Sequence, residues 1–369
     1  MTTPIPSIRR KVFVRKGEQG LTLIEFMVSI VLSMLLVAAL STLIANQSAN
    51  RAEVDRSGRM LENGRYAIRT MADDLQLAGY WGELSSLPAT PGSMPDPCSR
   101  VASEIGDAMA LHVQGYDAPV GGAVPSCLAT QNLLPGTDVI VVRHADADSS
   151  SLETTPTVPD AAKVVAAAGQ VLIQTGVNSV ANQNFEYRIN AATSNTTTNG
   201  TMFPLLKKDL TTAATIRKVL VRIYFVSACS VPVGTSCTNA DGGTPIPTLR
   251  VRELAMVGGA LDWTTVTVAE GIENLQIDYG VDSDSDGAAD GADANAASTA
   301  LDTPAKWTNV MGAKVYLLAR STERSPGFTD GKTYRLGTAG TTAAAIDGYR
   351  RHVFLQSVRF VNPSARRTS

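Results

Sequence analysis

The sequence predicts an α+β protein: a long N-terminal helix, apolar in its first half and amphipathic in its second, packed on an antiparallel β-sheet head with long loops. Three observations predict it. Residues 21–45 hold one charge, Glu25, in 25 positions. The next stretch, through Ala78, repeats apolar side chains every three or four residues. Beyond residue 82, short alternating apolar runs are separated by segments rich in Ser, Thr, Gly and Asp. With 44% hydrophobic and 18% charged residues the chain can bury a core, and a net charge of −2 gives no sign of a nucleic-acid partner.

The first element is basic. Residues 1–20 hold Arg9, Arg10, Lys11, Arg15 and Lys16 against Glu18, a net of +4, which leaves −6 for the remainder. The run 21–45 follows at once. As a helix it would extend roughly 37 Å, longer than the roughly 30 Å hydrocarbon core of a bilayer. The basic block should stay cytoplasmic and everything after the run should face outward. A secretory signal peptide would have a shorter apolar region, followed by its cleavage site. A plain signal anchor accounts for length and orientation but gives no reason for Glu25. A third reading accounts for all of it: a basic leader ends at Gly20 and the cut falls before the apolar run.

Gly20-Leu21-Thr22-Leu23-Ile24-Glu25 resembles the prepilin motif. The resemblance implies a prepilin peptidase that cuts after Gly20 and methylates the amino group of Leu21. Leu21 stands where such chains usually have Phe. A carboxylate inside a bilayer is expensive and marks function. Cleavage creates a positive partner for Glu25, the α-amine of Leu21 in its own or a neighbouring subunit. Glu25 would then set the stagger of assembling subunits, as buried polar groups do in coiled coils.

The second half of the helix places Leu61, Ile68, Met71, Leu75 and Ala78 on one face, which a free linker would not need. Gly58 and Gly64 are expected to mark a bend, and Gly79 the stop. The segment Glu62–Arg69 with Leu75 through Trp81, and Tyr349-Arg350-Arg351-His352-Val353-Phe354 near the far end, resemble the PilW family of pilus assembly proteins. That resemblance implies a pilin-like chain divided into a leader (1–20), a transmembrane half-helix (21–45), an amphipathic half-helix (46–80) and a periplasmic β-rich head (81–369). It further implies a minor pilin of a type IV pilus, first anchored in the inner membrane and then in the fibre. Its partners would be the prepilin peptidase and other minor and major pilins.

In the head, Val139–Val142, Val219–Val226, Leu275–Tyr279, Val315–Leu318 and Phe354–Phe360 read as strands, and 145–160, 191–201 and 283–304 as loops. Cys98, Cys127, Cys229 and Cys237 all lie on the outward side of the membrane run, where an even set implies two disulfides. Four cysteines allow three pairings. Sequential pairing, Cys98–Cys127 and Cys229–Cys237, is the one expected. No spacing fits a zinc ribbon or a redox pair.

Residues 282–293 place Asp282, Asp284, Asp286, the Ala288 carbonyl, Asp290 and Asp293 at positions 1, 3, 5, 7, 9 and 12, with Gly287 at the turn. That is the oxygen spacing of a calcium loop, with Asp in place of the usual final Glu. The competing reading is a solvated Asp/Gly/Ala loop. The PilW resemblance implies an acidic loop here that serves structure more than catalysis. Three histidines, His112, His144 and His352, sit in unrelated contexts, and no phosphate loop, nucleophile elbow or metalloprotease motif occurs, so no enzyme activity is expected. The alternatives to a minor pilin are a type II secretion pseudopilin and a membrane-anchored periplasmic enzyme or adhesin.

Overall fold

The computed structural model describes residues 20, 22–84, 88–119, 121–155, 158–178, 185–233, 236–237, 245–343 and 345–367. The leader up to residue 19 and the Leu21 position therefore lie outside the described residues. The chain divides into two compact units, Met1–Asp55 and Arg56–Ser369. One helix, α1 (Leu23–Gln76), contributes to both.

In the first unit every described residue through Arg51 is exposed. Of the described helices, α1 alone is long and apolar enough to cross a membrane. Its hydroxyls turn inward. Ser29 donates to the Glu25 carbonyl (2.6 Å), Ser33 to that of Ser29 (2.7 Å) and Ser41 to that of Val37 (2.8 Å). Such back-bonding leaves no hydroxyl to be satisfied by lipid.

In the second unit α1 buries Met60, Gly64, Ala67, Ile68, Met71, Ala72, Asp74 and Leu75, a stripe at helical spacing that is broader than the apolar residues alone define. Both Gly58 and Gly64 lie within continuous helix. Gly64 has a different reason. A Cβ there would fall within the Phe354 ring, so glycine lets that ring lie against the helix axis. Regular helix ends at Gln76, and a turn runs to Gly79, whose φ of +71° reverses the chain.

Seven strands form the first sheet: β1 (Val113–Tyr116), β2 (Val139–Ala145), β3 (Val171–Val177), β4 (Phe185–Ala191), β5 (Ile216–Ser227), β6 (Thr248–Val257) and β7 (Ala260–Glu270). Four more form the second: β8 (Ile272–Val281), β9 (Asp290–Ala294), β10 (Val310–Arg320) and β11 (Arg351–Arg359). The first runs β1-β2-β5-β6-β7, with β3 also on β5 and β4 on β3; the second runs β9-β8-β10-β11. All these pairings are antiparallel.

The period of two in β5 separates two cores. Tyr224 and Val226 join Ile140, Val142 and Leu249 against the α1 stripe and against Leu275, Ile277, Val315 and Leu317 of the second sheet. Val219, Val221, Ile223 and Phe225 face the other way, toward Trp81, Met109, Leu128 and Trp263. The first sheet is thus covered on both faces, which is why the end of β5 is buried without alternation.

The segments read as long loops carry more structure than their composition shows. Within 191–201 begins α2 (Thr196–Met202), capped by Asn195, whose Oδ1 accepts from Thr198 N at 3.0 Å. Glu153–Thr155 pairs with Val158–Pro159 inside 145–160, and β9 lies inside 283–304. Cys98 is bonded to Cys127 and Cys229 to Cys237, each with 5.5 Å between Cα atoms.

Candidate functional site

The motif at the head of α1 is built by a local exchange of hydrogen bonds. Thr22 donates its backbone N (3.0 Å) and its Oγ1 (2.9 Å) to Glu25 Oε2, and Glu25 N approaches Thr22 Oγ1 at 3.4 Å. This is a capping box, in which the cap and the third helical residue satisfy each other's backbone donors. Glu25 therefore has a partner within its own chain. The T-x-x-E spacing carries that signal in the sequence. Gly20 is exposed, with nothing close to where a Cβ would stand.

The acidic loop assembles in part. Asp282, Asp284 and Asp290 each bring a carboxylate oxygen within 4.8 Å of the others. Asp286 instead accepts from Ala288 N (2.7 Å), and Asp293 pairs with Lys314. Asp282 is fully buried and accepts from Ser285 N (2.6 Å), Gly287 N (3.1 Å) and Arg367 Nη1 (2.9 Å). Burial works to raise its pKa, but these donors and the Arg367 charge outweigh it and hold it below the ordinary range. Arg367 belongs to a C-terminal helix, α3 (Val361–Arg367), whose Ser364 donates to the Gly287 carbonyl. The same helix closes the end of α1: Asn362 Nδ2 donates to the Gln76 and Ala78 carbonyls (3.4 Å each), and Arg366 to that of Gly79. Carbonyls left over at a helix terminus are thereby satisfied.

Two charged clusters were not legible in the sequence. On the buried face of α1, Asp74 Oδ1 accepts from Arg222 Nη1 (2.6 Å) and His144 Nε2 (3.0 Å), while Arg222 Nε reaches Glu253 at 2.8 Å. Burial would raise the Asp74 pKa; the His144 bond and the Arg222 charge overcome it, and the net shift is downward. The second cluster centres on Arg351 at the start of β11. It binds Glu273, Asp330 (3.1 Å) and Asp347 (2.7 Å), and so ties the connection between β10 and β11 to β8. His112 donates to the Val310 carbonyl across the two sheets at 2.6 Å. Burial depresses its pKa to about 4, which keeps it neutral. His352 is exposed on the edge strand β11. These partners are 70 to 148 residues apart around Asp74, too far for any spacing rule to join them.

A polar cleft of about 460 Å³ opens where the sheets meet, lined in part by Asp117, Asn274, Gln276 and Asn295.

Residues 15–41 match the family described as prokaryotic N-terminal methylation motif, and residues 223–362 match type IV pilus-assembly protein W. The second match runs from the middle of β5 through the whole second sheet into α3. No curated protein and no solved structure matches the chain. A methylation-motif match, one membrane-length helix among the described residues and a β-rich body against which the later turns of that helix pack give a pilin-like layout. The match over 223–362 likens this part of the chain to the PilW family, and the two matches together support a role in type IV pilus assembly.

Proposed function

We propose that the chain is a minor pilin, cut after Gly20, methylated on Leu21 and carried into the pilus by α1, where it helps to prime assembly. The observation behind this reading is the coincidence in one chain of the methylation motif over 15–41, the membrane-length helix that begins at Leu23 and the W-type region over 223–362. In this reading the basic leader stays cytoplasmic and the body beyond the helix is periplasmic before incorporation. Glu25 pairs with the amine freed at Leu21, its own or a neighbour's, and Thr22 keeps the carboxylate hydrogen-bonded until that partner arrives. The work is packing and recognition of other pilins, with no substrate turned over.

The same reading gives the acidic loop a divalent cation, calcium, on Asp282, Asp284 and Asp290. Hard carboxylate oxygens suit that ion, although it would have to share Asp282 with Arg367.

Mass spectrometry of the mature N-terminus tests the main claim. A first peptide beginning at methylated Leu21 is expected, and Gly20→Ala should leave the leader attached. A native chain intact from Met1, or normal processing of the variant, overturns the pilin reading. For the loop, calcium at millimolar concentration should raise the thermal midpoint in wild type but not in Asp284→Ala. The same midpoint with and without calcium in the wild type removes the ion.

A further inference from the structure

We infer that the cleft at the junction of the two sheets binds a neutral, hydroxyl-rich ligand, a saccharide unit, through Asp117, Asn274, Gln276 and Asn295. The inference is independent of the pilus reading, because every residue it uses lies in the body of the protein.

The chemistry of the lining excludes most alternatives. The described residues that line the cleft, about 460 Å³ in volume, include no lysine or arginine, so nothing there would hold a phosphate or carboxylate. Its polar walls are the amides of Asn274, Gln276 and Asn295, threonine hydroxyls and the Asp117 carboxyl, with only Leu336 and two alanines as apolar side chains, which offers little to an apolar ligand. Planar amides and carboxyls suit vicinal hydroxyls, each of which both donates and accepts. The amides are already oriented. Gln276 Nε2 donates to the Gly136 carbonyl (2.8 Å) and to Asn274 Oδ1 (2.9 Å), and those bonds fix its remaining oxygen and the Asn274 amide nitrogen as the groups left for a ligand.

The cleft is also a built feature. Asp138, beneath Asp117, accepts from Ala118 N (3.0 Å) through one oxygen and from Ile277 N (2.8 Å) through the other, joining the two sheets. Ala118 is held at φ +38°, a conformation that an alanine adopts only when its surroundings impose it. Burial raises the Asp138 pKa to about 7, with the two backbone bonds opposing and the neighbouring Asp117 adding to the rise.

Saturation-transfer NMR on the full chain, in a detergent without a sugar headgroup, tests the inference. The probes are a panel of neutral mono- and disaccharides, with calcium chloride alone and sodium phosphate alone as alternatives. At least one saccharide should bind, and Asn274→Ala and Asn295→Ala should each weaken it by about tenfold, the loss of one or two hydrogen bonds. The thermal midpoint shows that each variant is folded. Saccharide binding unchanged in the folded variants, no saccharide bound, or binding of only calcium or phosphate each overturns the inference.

Discussion

At the scale of single residues, the two glycines in the middle of α1 make opposite predictions. Gly58 faces open space and Gly64 faces the Phe354 ring. Gly58→Ala should stabilise the protein by about 0.5–1 kcal/mol, the ordinary helix-propensity gain. Gly64→Ala should destabilise it by about 1–3 kcal/mol, because the ring must move and the core is close-packed. Urea denaturation of the two variants checks the pair; equal effects would show that Phe354 does not press on the helix. Asp138 predicts a pH dependence. Its value near 7 in the folded state lies above the ordinary carboxylate value of 3.8, so its contribution is fully present below pH 4 and is lost as pH rises through 7. Asp117→Asn removes the like charge and should make that loss smaller, measured as urea midpoints from pH 4 to 8 in variant and wild type. Asp74 has the opposite sign. Its lowered value gives a contribution present above pH 4 and lost on further acidification.

At the scale of elements, α1 is joined to the first sheet by charge as well as by apolar packing. Asp74→Ala leaves Arg222 with Glu253 alone and His144 facing a void, and should cost about 3 kcal/mol. A double-mutant cycle with Arg222 measures the share due to the pair. The disulfide Cys98–Cys127 closes a separation of 29 residues, and replacing both cysteines by serine should cost about 3–4 kcal/mol by the loop-entropy relation. Cys229–Cys237, over a separation of 8, should cost less. The long elements were legible because their signals are periodic: the apolar run of α1, and the alternation at Val219–Phe225 and Leu275–Tyr279. The helix Thr196–Met202 was hidden in a run of threonines, since its start depends on one capping asparagine and not on an apolar face. The packing role of Gly64 was hidden because sequence shows what glycine lacks but not which ring comes close.

For the whole molecule, the sequence showed a head of strands but not its division into two sheets. That division depends on which face of β5 meets α1 and which meets Trp81, a choice made by residues over a hundred positions away. The N-terminal motif was legible as a pattern, because it is contiguous, and its T-x-x-E spacing carries the capping role as well. The acidic loop was legible as spacing, but not the ion pairs that Lys314 and Arg367 make with Asp293 and Asp282. The cleft at the sheet junction was invisible, since Asp117, Asn274 and Asn295 come from three separate turns of the chain.

The helix Val361–Arg367 has a consequence for the order of events in the cell. Its bonds to Gln76, Ala78 and Gly79 span more than 280 residues, so the chain must be made through Arg366 before the end of α1 is sealed. Contacts this distant in sequence form late. A nascent chain can therefore enter the membrane by its stem while its body is still open, and an arrested or truncated copy would carry a working anchor on an unfinished head.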